Sequence, residues 1–292
     1  MLPSTISLLG QFKALSDPIK ARIVSLCAVA ECSVSELTAV TGQSQPRVSQ
    51  HLKQLCDARL LRRFRDGHFV YYRVASKGGD AARRRRLLQV LPKDEPQFAK
   101  DIELLRGLRR FDELEPAQDK DRALHRALVE LTVSHPLGDL LDIGCGQGRL
   151  LKLLASRAQR VVGVDTDPKA RRLARADILL AGLPNCTLRQ GDMISLPFAD
   201  EEFDTIILDD VLSDAAHPER ALAEATRLLR PGGRILLLSS LAGRDVDDLR
   251  RKYAEWADVQ GMRLAKPRTI PSKNPDWLLA VATPVDRAVA AA

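Results

Sequence analysis

The sequence predicts an α/β protein with two domains. A helical N-terminal domain ends in a two-stranded ribbon, and a C-terminal domain is built on a doubly wound, mainly parallel sheet. Three observations predict this: helical periodicity in residues 4–56 gives way to two short alternating runs, helices and strands alternate from Asp119 onward, and charge is unevenly divided. Residues 1–96 hold 16 Lys and Arg against 8 Asp and Glu, whereas the remainder is balanced at 29 against 30. A basic domain favours an acidic partner such as nucleic acid.

The N-terminal elements follow from their end signals. Asp17-Pro18 is typical of a helix start, Ser44 is placed to cap a later helix, and Asp66-Gly67 is typical of a tight hairpin turn. We predict helices over residues 4–15, 18–29, 35–40 and 45–56, and strands over residues 62–64 and 69–74. This order predicts a winged helix-turn-helix domain, in which the second helix of the pair reads DNA.

The helix over residues 45–56 has a polar face suited to the major groove. Gln and Arg side chains make bidentate contacts with base edges. Arginines in the wing, which is the predicted ribbon of strands 62–64 and 69–74, suit contacts with phosphates. Such contacts raise affinity without reading sequence. Val48, Leu52 and Leu55 lie at helical spacing and are expected to face the core. The candidate DNA-binding residues are Ser44, Gln45, Arg47, Ser49, Gln50, His51, Lys53, Arg63, Arg65 and Tyr72.

The rest of the chain divides at two prolines and at a change of pattern. Residues 81–91 are predicted to be helical, and Pro92 and Pro96 mark the break after them. We expect a DNA-binding and dimerisation domain over residues 1–96, a connector over 97–118 with a helix at 97–114, an α/β domain over 119–285 and a tail over 286–292. The predicted strands of the α/β domain cover residues 140–143, 161–164, 186–190, 205–208, 234–238 and 278–283.

A glycine-rich loop follows the first of these strands. Asp142 precedes three alternate glycines, which let the backbone turn sharply and let a ligand approach closely. Asp165 ends the next strand, 23 residues after Asp142, and can accept hydrogen bonds from both hydroxyls of a ribose. An adenine ring can stack on Met193 while its amino group donates to Asp192. The spacing is not the dinucleotide G-x-G-x-x-G, so a nicotinamide cofactor is the weaker alternative. The candidate ligand-binding residues are Asp142, Gly144, Cys145, Gly146, Asp165, Thr166, Gly191, Asp192, Met193 and Asp209.

The segments 14–18, 44–52 and 71–74 resemble the ArsR family of bacterial repressors, over about residues 5–92. The resemblance implies a homodimer, joined through the first helix and the helix near residues 80–91, on a palindromic double-stranded DNA operator. Many metal-sensing members carry two cysteines where this chain has Ser33 and Ser35. Hydroxyls do not select soft metals as thiolates do, so we expect no metal. A redox role for Cys27 or Cys32 stays open beside the alternative of inert buried thiols.

The elements from Asp142 to Asp209-Asp210, followed by the turn at 230–234, resemble class I S-adenosylmethionine-dependent methyltransferases over residues 119–285. The resemblance implies a Rossmann-like domain that binds S-adenosylmethionine or S-adenosylhomocysteine. It is close to small-molecule enzymes of the ubiquinone-biosynthesis type. We find no signature for a methyl acceptor, and Asp209 and Ser213 stand where relatives often have histidines. Enzyme activity therefore stays undecided.

Three functions remain open. ArsR-type repressors with fused methyltransferase-like domains include methionine-cycle regulators that respond to S-adenosylhomocysteine, and this chain is similar to that group. The leading hypothesis is a repressor whose DNA affinity is controlled by S-adenosylhomocysteine or S-adenosylmethionine. The alternatives are an active methyltransferase with a fused DNA-binding domain, and a DNA-binding protein with a vestigial second domain.

Composition predicts the compartment. The N-terminus lacks a secretory signal, and no apolar run reaches the roughly 18 residues that span a bilayer. The 5 scattered cysteines do not indicate a disulfide framework. We therefore expect a cytoplasmic protein with no membrane partner.

Overall fold

A computed structural model describes residues 3–66, 69–75, 81–89, 91, 95–109, 120–213 and 215–285. The chain forms two compact units. Unit 1 consists of residues 1–112 and 175–184, and unit 2 of residues 113–174 and 185–292. The predicted tail over 286–292, the hairpin residue Gly67 and the end of the predicted connector lie outside the described residues.

Unit 1 contains six helices and a small antiparallel sheet among its described residues. In chain order these are α1 (Pro3–Leu15), α2 (Pro18–Val29), β1 (Cys32–Ser33), α3 (Val34–Thr41), α4 (Gln45–Asp57), β2 (Leu61–Asp66), β3 (Phe69–Val74), α5 (Ala81–Gln89) and α6 (Pro96–Arg109). The strand order is β1-β3-β2, with Cys32 opposite Tyr72 and Leu61 opposite Val74. β1 was not predicted from the sequence, because two residues are too short to display an alternation.

Side-chain hydrogen bonds cap the starts of α2 and α3, whereas α4 has no such cap. Asp17 caps α2, its Oδ1 accepting from the N–H of Lys20 at 3.0 Å. Ser33 forms a capping box with Glu36 at the start of α3. Ser44 occupies the N-cap position of α4, as predicted, but its hydroxyl makes no capping hydrogen bond. Pro at the start of α4 removes one of the N–H groups that a cap would satisfy.

The core of unit 1 explains why α6 belongs to it. Leu105 of α6 is fully buried in the cluster that α2, α3 and α4 form. Asp101 is also buried and accepts two hydrogen bonds from Arg22 of α2, each 2.7 Å long. The helix predicted as a connector therefore packs as part of the compact N-terminal unit, and its described portion ends at Arg109.

Unit 2 is a sheet flanked by helices. In chain order it contains α7 (Lys120–Ser134), β4 (Asp139–Ile143), α8 (Arg149–Leu154) with a 3-10 turn at Ala155–Arg157, β5 (Arg160–Asp165), α9 (Pro168–Leu180, whose last turns count with unit 1), β6 (Cys186–Gln190), β7 (Phe203–Asp209), α10 (Pro218–Leu228), β8 (Leu229–Ser240), α11 (Val246–Val259), β9 (Met262–Leu264), β10 (Arg268–Ile270) and β11 (Trp277–Pro284). All six predicted strands are present. The short β9 and β10 are additional, and β8 begins before the predicted Arg234.

The strand order β10-β11-β8-β7-β4-β5-β6 places the candidate ligand residues at one edge of the sheet. Strands β4 to β8 run parallel, so their carboxyl ends meet at the same edge, where ligands of doubly wound sheets bind. β11 is antiparallel to β8 and pairs Trp277 with Ser240. The first residue of β11 therefore lies at this same edge.

Candidate functional site

The loop after β4 is shaped by glycine. Gly144, Gly146 and Gly148 have φ angles of 74°, 51° and 81°, a region that side chains with a Cβ disfavour. The N–H groups of Gly144 and Cys145 donate to the carbonyl of Val164 at 2.7 and 2.9 Å, which ties the loop to β5. A Cβ on Gly144 would lie 2.1 Å from Cγ1 of Val211, whereas a Cβ on Gly146 would meet nothing within 4 Å. The loop thus presents open backbone to an approaching ligand at Gly146.

Asp165 fixes this loop from the end of β5. Its carboxylate accepts from the N–H groups of Gly146 and Asp167, both at 2.8 Å. Because the side chain is only half-buried and each carboxylate oxygen has two lone pairs, it can also accept from a diol. The neighbouring Thr166 is exposed.

Asp142 is the most deeply buried acid of the site. It is 1% exposed, and its Oδ1 has no hydrogen-bond partner among the described residues. Burial, reinforced by the negative charges of Asp209 and Asp165 and opposed by Arg149, raises the pKa of Asp142 well above its usual value. A buried acceptor without a partner is costly, and a ligand donor such as an ammonium or amide group would remove that cost. The loop and its two acids therefore fit a nucleoside that carries a cationic group.

The remaining predicted ligand residues differ in which of their atoms are exposed to a ligand. The side chain of Cys145 is buried, so a ligand can reach only its backbone. Asp192 is exposed and accepts from the N–H of Ile194 at 3.1 Å, as in an ordinary turn, and Met193 packs half-buried on the sheet core. Gly191 donates to the carbonyl of Asp165 at 3.3 Å, which joins this turn to the end of β5.

Arginines engage the carboxylate that ends β7 and the one that follows it. Asp209 pairs with Nη2 of Arg149 at 2.8 Å, and Asp210 pairs with Arg244. The guanidinium of Arg149 also lies over the ring of Trp277, 4.6 Å from its centroid. Neither Arg149 nor Trp277 was predicted as a site residue from the sequence. Arg149 directly follows the glycine loop and could have been predicted from the sequence. Trp277 comes to the site only because β11 pairs with β8.

The exposed face of α4 is the candidate nucleic-acid interface of unit 1. The predicted DNA-binding residues exposed on or beside this helix are Ser44, Gln45, Arg47, Ser49, Gln50 and Lys53. His51 departs from the prediction because it is 8% exposed. Burial lowers the pKa of His51, and Lys20 and Arg47 lower it further against the opposing effect of Asp17, so the imidazole favours its neutral form. Its helical spacing from Val48 and Leu55 places it on the core face.

The described part of the wing presents arginines to solvent. Arg62, Arg63 and Arg65 are exposed on β2. Arg63 lies opposite Tyr72 of β3. Tyr72 is half-buried and packs against the core of unit 1, so only part of the ring is accessible.

A buried ionic network inside unit 1 holds the wing. Arg175, in the portion of α9 that counts with unit 1, pairs with Asp66 at 2.7 Å and with Glu31 at 3.4 Å. Its guanidinium stacks 4.0 Å from the ring centroid of Tyr71. Arg109 donates to the carbonyl of Glu31 at 2.6 Å. The role of Arg175 was not predicted, because nothing in the sequence pattern links it to partners more than 100 positions away.

Two family models each match a segment of the chain. Residues 17–63 match the family model of bacterial regulatory proteins of the arsR family, and residues 141–237 match the methyltransferase domain model. The chain carries an ArsR-family helix-turn-helix and a methyltransferase domain. Both resemblances drawn from the sequence are confirmed, as is the α/β fold class.

In the described residues, no helix is long and apolar enough to cross a membrane, and no group of three metal-ligating side chains occurs.

Individual relatives match parts of the chain. An uncharacterized 37.1 kDa protein in transposon TN4556 of Streptomyces fradiae is 36% identical over 122 residues, which are 41% of this chain and 35% of that protein. The uncharacterized methyltransferase YcgJ of Bacillus subtilis is 27% identical over 66% of this chain and 82% of its own length. Demethylmenaquinone methyltransferase of Symbiobacterium thermophilum is 32% identical over 40% of this chain. The chain spans 35% of the first relative and 48% of the third.

Proposed function

We propose that this chain is a transcriptional repressor that binds operator DNA as a homodimer. S-adenosylhomocysteine or S-adenosylmethionine, held by the methyltransferase domain, would set its DNA affinity. One observation carries the proposal: a single chain combines an exposed polar recognition helix with a glycine loop and two acids suited to a nucleoside. A coupling free energy of about 1–3 kcal/mol between the two sites would change operator affinity roughly 5- to 150-fold. The proposed regulator acts in the cytoplasm.

The exposed residues of α1 support the homodimer. Leu9 and Phe12 are each 54% exposed, which is unusual for large apolar side chains three positions apart on one helix. A second copy of the chain would cover them, with α5 as the other proposed contact. A dimer also suits two half-sites of a palindromic operator.

Each nucleoside-binding residue has a proposed task. Asp165 accepts from the ribose hydroxyls, and Gly146 gives the ligand close access to the backbone. Asp142 accepts from the ammonium group of the amino-acid tail. Gly191, Asp192 and Met193 would flank the adenine. When the ligand is S-adenosylmethionine, it brings an activated methyl group to the edge of the sheet.

The ion pairs at the end of β7 favour sensing over catalysis. A general base must reach the proton that it abstracts and must be ready to accept it. Asp209 and Asp210 are each engaged by an arginine, so neither carboxylate is poised as a simple base. This arrangement supports a domain whose role is to bind the nucleoside.

A working methyltransferase is the second candidate function. The similarity to demethylmenaquinone methyltransferase favours it. It requires transfer of a labelled methyl group from S-adenosylmethionine to a small acceptor. Transfer at multiple turnovers, with operator affinity independent of both nucleosides, would establish this function in place of the proposed one.

We expect DNA selectivity to depend on α4 and general affinity to depend on the wing. Arg47→Ala or Gln50→Ala should each weaken the selected site about 5- to 150-fold, because one bidentate base contact contributes roughly 1–3 kcal/mol. Arg63→Ala should weaken selected and random duplexes alike and lower the salt slope by about 1. Fluorescence anisotropy with a site selected from random duplexes measures both effects.

Lys152→Ala provides the matched control, because this lysine belongs to unit 2 and the proposed interface to unit 1. It should leave the affinity for the selected site, the affinity for random duplexes and the salt slope unchanged. Equal losses on selected and random DNA for Arg47→Ala and Gln50→Ala would contradict base reading by α4.

A further inference from the structure

Unit 1 contains a cavity that takes no part in either proposed binding site. Its volume is about 570 Å³, and its lining residues lie on α2, on α5 and shortly after it, on α6, and at positions 182 and 184, all within unit 1. Pockets that bind small molecules have volumes of roughly 300–1,000 Å³. The cavity is therefore large enough to hold one small organic molecule.

Most of the cavity lining is apolar and continuous with the core of unit 1. Val29, Leu88 and Ile102 line the cavity and also pack against the buried cluster of that unit. Phe98 adds an aromatic ring to the lining. No charged side chain lines the cavity among the residues that the structure describes. Because an ionised group without a partner is costly to bury, the lining favours an uncharged occupant.

Two polar side chains interrupt this apolar lining. Ser25 lines the cavity from α2 and is half-buried, whereas Gln89 lines it from α5 and is exposed. Neither side chain has a hydrogen-bond partner within the described part of the chain. Because a hydroxyl and a carboxamide can each donate and accept, both are available to a polar group of a ligand.

A second copy of the chain suits the cavity less well. The large apolar side chains that α1 leaves exposed, Leu9 and Phe12, carry no hydrogen-bonding group. Covering Ser25 and Gln89 with such side chains would leave their polar atoms without partners, which costs free energy. The lining therefore favours a small molecule with a polar end.

We propose that this cavity binds a neutral small molecule that combines an aromatic or alicyclic body with one hydrogen-bonding group. The body packs against Val29, Phe98 and Ile102, and the polar group bonds to Ser25 or Gln89. Such a molecule is a second ligand of the protein, beside the proposed nucleoside. Since it contacts α2, α5 and α6 together, its binding stabilises the packing of these three helices.

Two fluorescent probes that share one skeleton test the proposal. N-phenyl-1-naphthylamine is neutral and has one N–H donor, whereas 8-anilinonaphthalene-1-sulfonate adds a negatively charged sulfonate. The fluorescence of both probes rises in apolar surroundings, so each is titrated into the full chain. We expect one neutral probe to bind per chain, at least about 10-fold more tightly than the anionic probe, because no cation lines the cavity to pair with the sulfonate.

A pair of variants assigns the binding to this cavity. Ala28 lines the cavity from α2, and Ala28→Phe fills part of the space that the probe would occupy. This variant should bind the neutral probe at least about 10-fold more weakly, with circular dichroism checking that it is folded. Ala99→Phe is the matched control, because Ala99 is exposed on α6 and does not line the cavity. It should keep the affinity of the wild type within about twofold.

Hydrogen exchange of the wild-type protein tests the site without any variant. A neutral probe at about 100 times its Kd should raise protection in peptides covering α2 and α6 by as much as about 100-fold, because the probe must leave before these helices open. Protection in peptides covering β11 of unit 2 should not change.

Several results would overturn the proposed cavity ligand. These are the absence of saturable binding, equal affinity for the two probes, full affinity in a folded Ala28→Phe variant, and unchanged protection of α2 and α6. Binding of the neutral probe that weakens as the protein concentration rises would also overturn it, because a second copy would then cover the cavity. The cavity belongs to unit 1 and the proposed nucleoside site to unit 2, so none of these results would contradict the proposed function.

Discussion

Replacing Asp165 with alanine is expected to weaken binding of S-adenosylhomocysteine at least about 100-fold. The variant would lose two hydrogen bonds from ribose hydroxyls to a charged acceptor, each contributing roughly 1.5–3 kcal/mol. It would also lose the acceptor that holds the N–H of Gly146 at 2.8 Å, which loosens the glycine loop. Isothermal titration calorimetry measures the affinity, and circular dichroism checks that the variant is folded.

Asp167→Ala is the matched control for this prediction. Asp167 is two residues away and exposed, and its N–H donates to Asp165 through the backbone, which the substitution keeps. The substitution removes the hydrogen bond from the N–H of Lys169 to Oδ1 of Asp167, 2.8 Å long, but no proposed ligand contact. We therefore expect the affinity to change by no more than about threefold, with circular dichroism confirming that the variant is folded. A similar affinity for the wild type and Asp165→Ala would show that the ribose is not held at the end of β5.

Replacing Arg175 with glutamine is expected to destabilise unit 1 by about 3–5 kcal/mol, because it removes the buried cation that lies 2.7 Å from Asp66 and 3.4 Å from Glu31. Glu31 keeps its longer ion pair with Arg73 at 3.7 Å. Both tryptophans, Trp256 and Trp277, lie in unit 2, so tryptophan fluorescence would not report this change. Hydrogen exchange followed by mass spectrometry on peptides covering 61–75 reports it directly. Protection there should fall about 100-fold or more, since each 1.4 kcal/mol corresponds to a factor of ten.

Arg172→Gln is the control for Arg175→Gln, because Arg172 is an exposed arginine on the same helix. This substitution should change the free energy of unfolding of unit 1 by no more than about 0.5 kcal/mol, the usual range for surface substitutions. Unchanged protection of β2 and β3 in Arg175→Gln would mean that the buried pairs do not stabilise the wing. Loss of protection confined to peptides of unit 2 would contradict the prediction equally.

Local pattern was sufficient to predict most of the architecture. The predicted bounds of α2 and β6 agree with the structure, because proline, capping residues and a compact apolar run mark them. Strands of two or three residues, such as β1, β9 and β10, carry no period and could not be predicted. They form because neighbouring strands supply their hydrogen bonds.

Only some residues of the candidate sites could likewise be predicted from the sequence. The glycine loop and the acid that ends β5 lie close in sequence and have recognisable spacing, so they could be predicted. His51 was placed with the DNA-binding residues although its spacing of three and four from Val48 and Leu55 indicated the core face. Arg175 and Trp277 acquire their partners only through tertiary structure, which no local pattern encodes.

In the proposed function, nucleoside binding changes DNA affinity. The most direct measurement is the anisotropy of a labelled operator duplex, titrated with the protein at one fixed salt concentration. Titrations without nucleoside, with saturating S-adenosylhomocysteine and with saturating S-adenosylmethionine are compared in the wild type and Asp165→Ala. We expect at least one nucleoside to change operator affinity roughly 5- to 150-fold in the wild type and to have no effect in the variant. Identical operator affinity in all three wild-type titrations, with calorimetry showing the nucleosides bound, would contradict the claim.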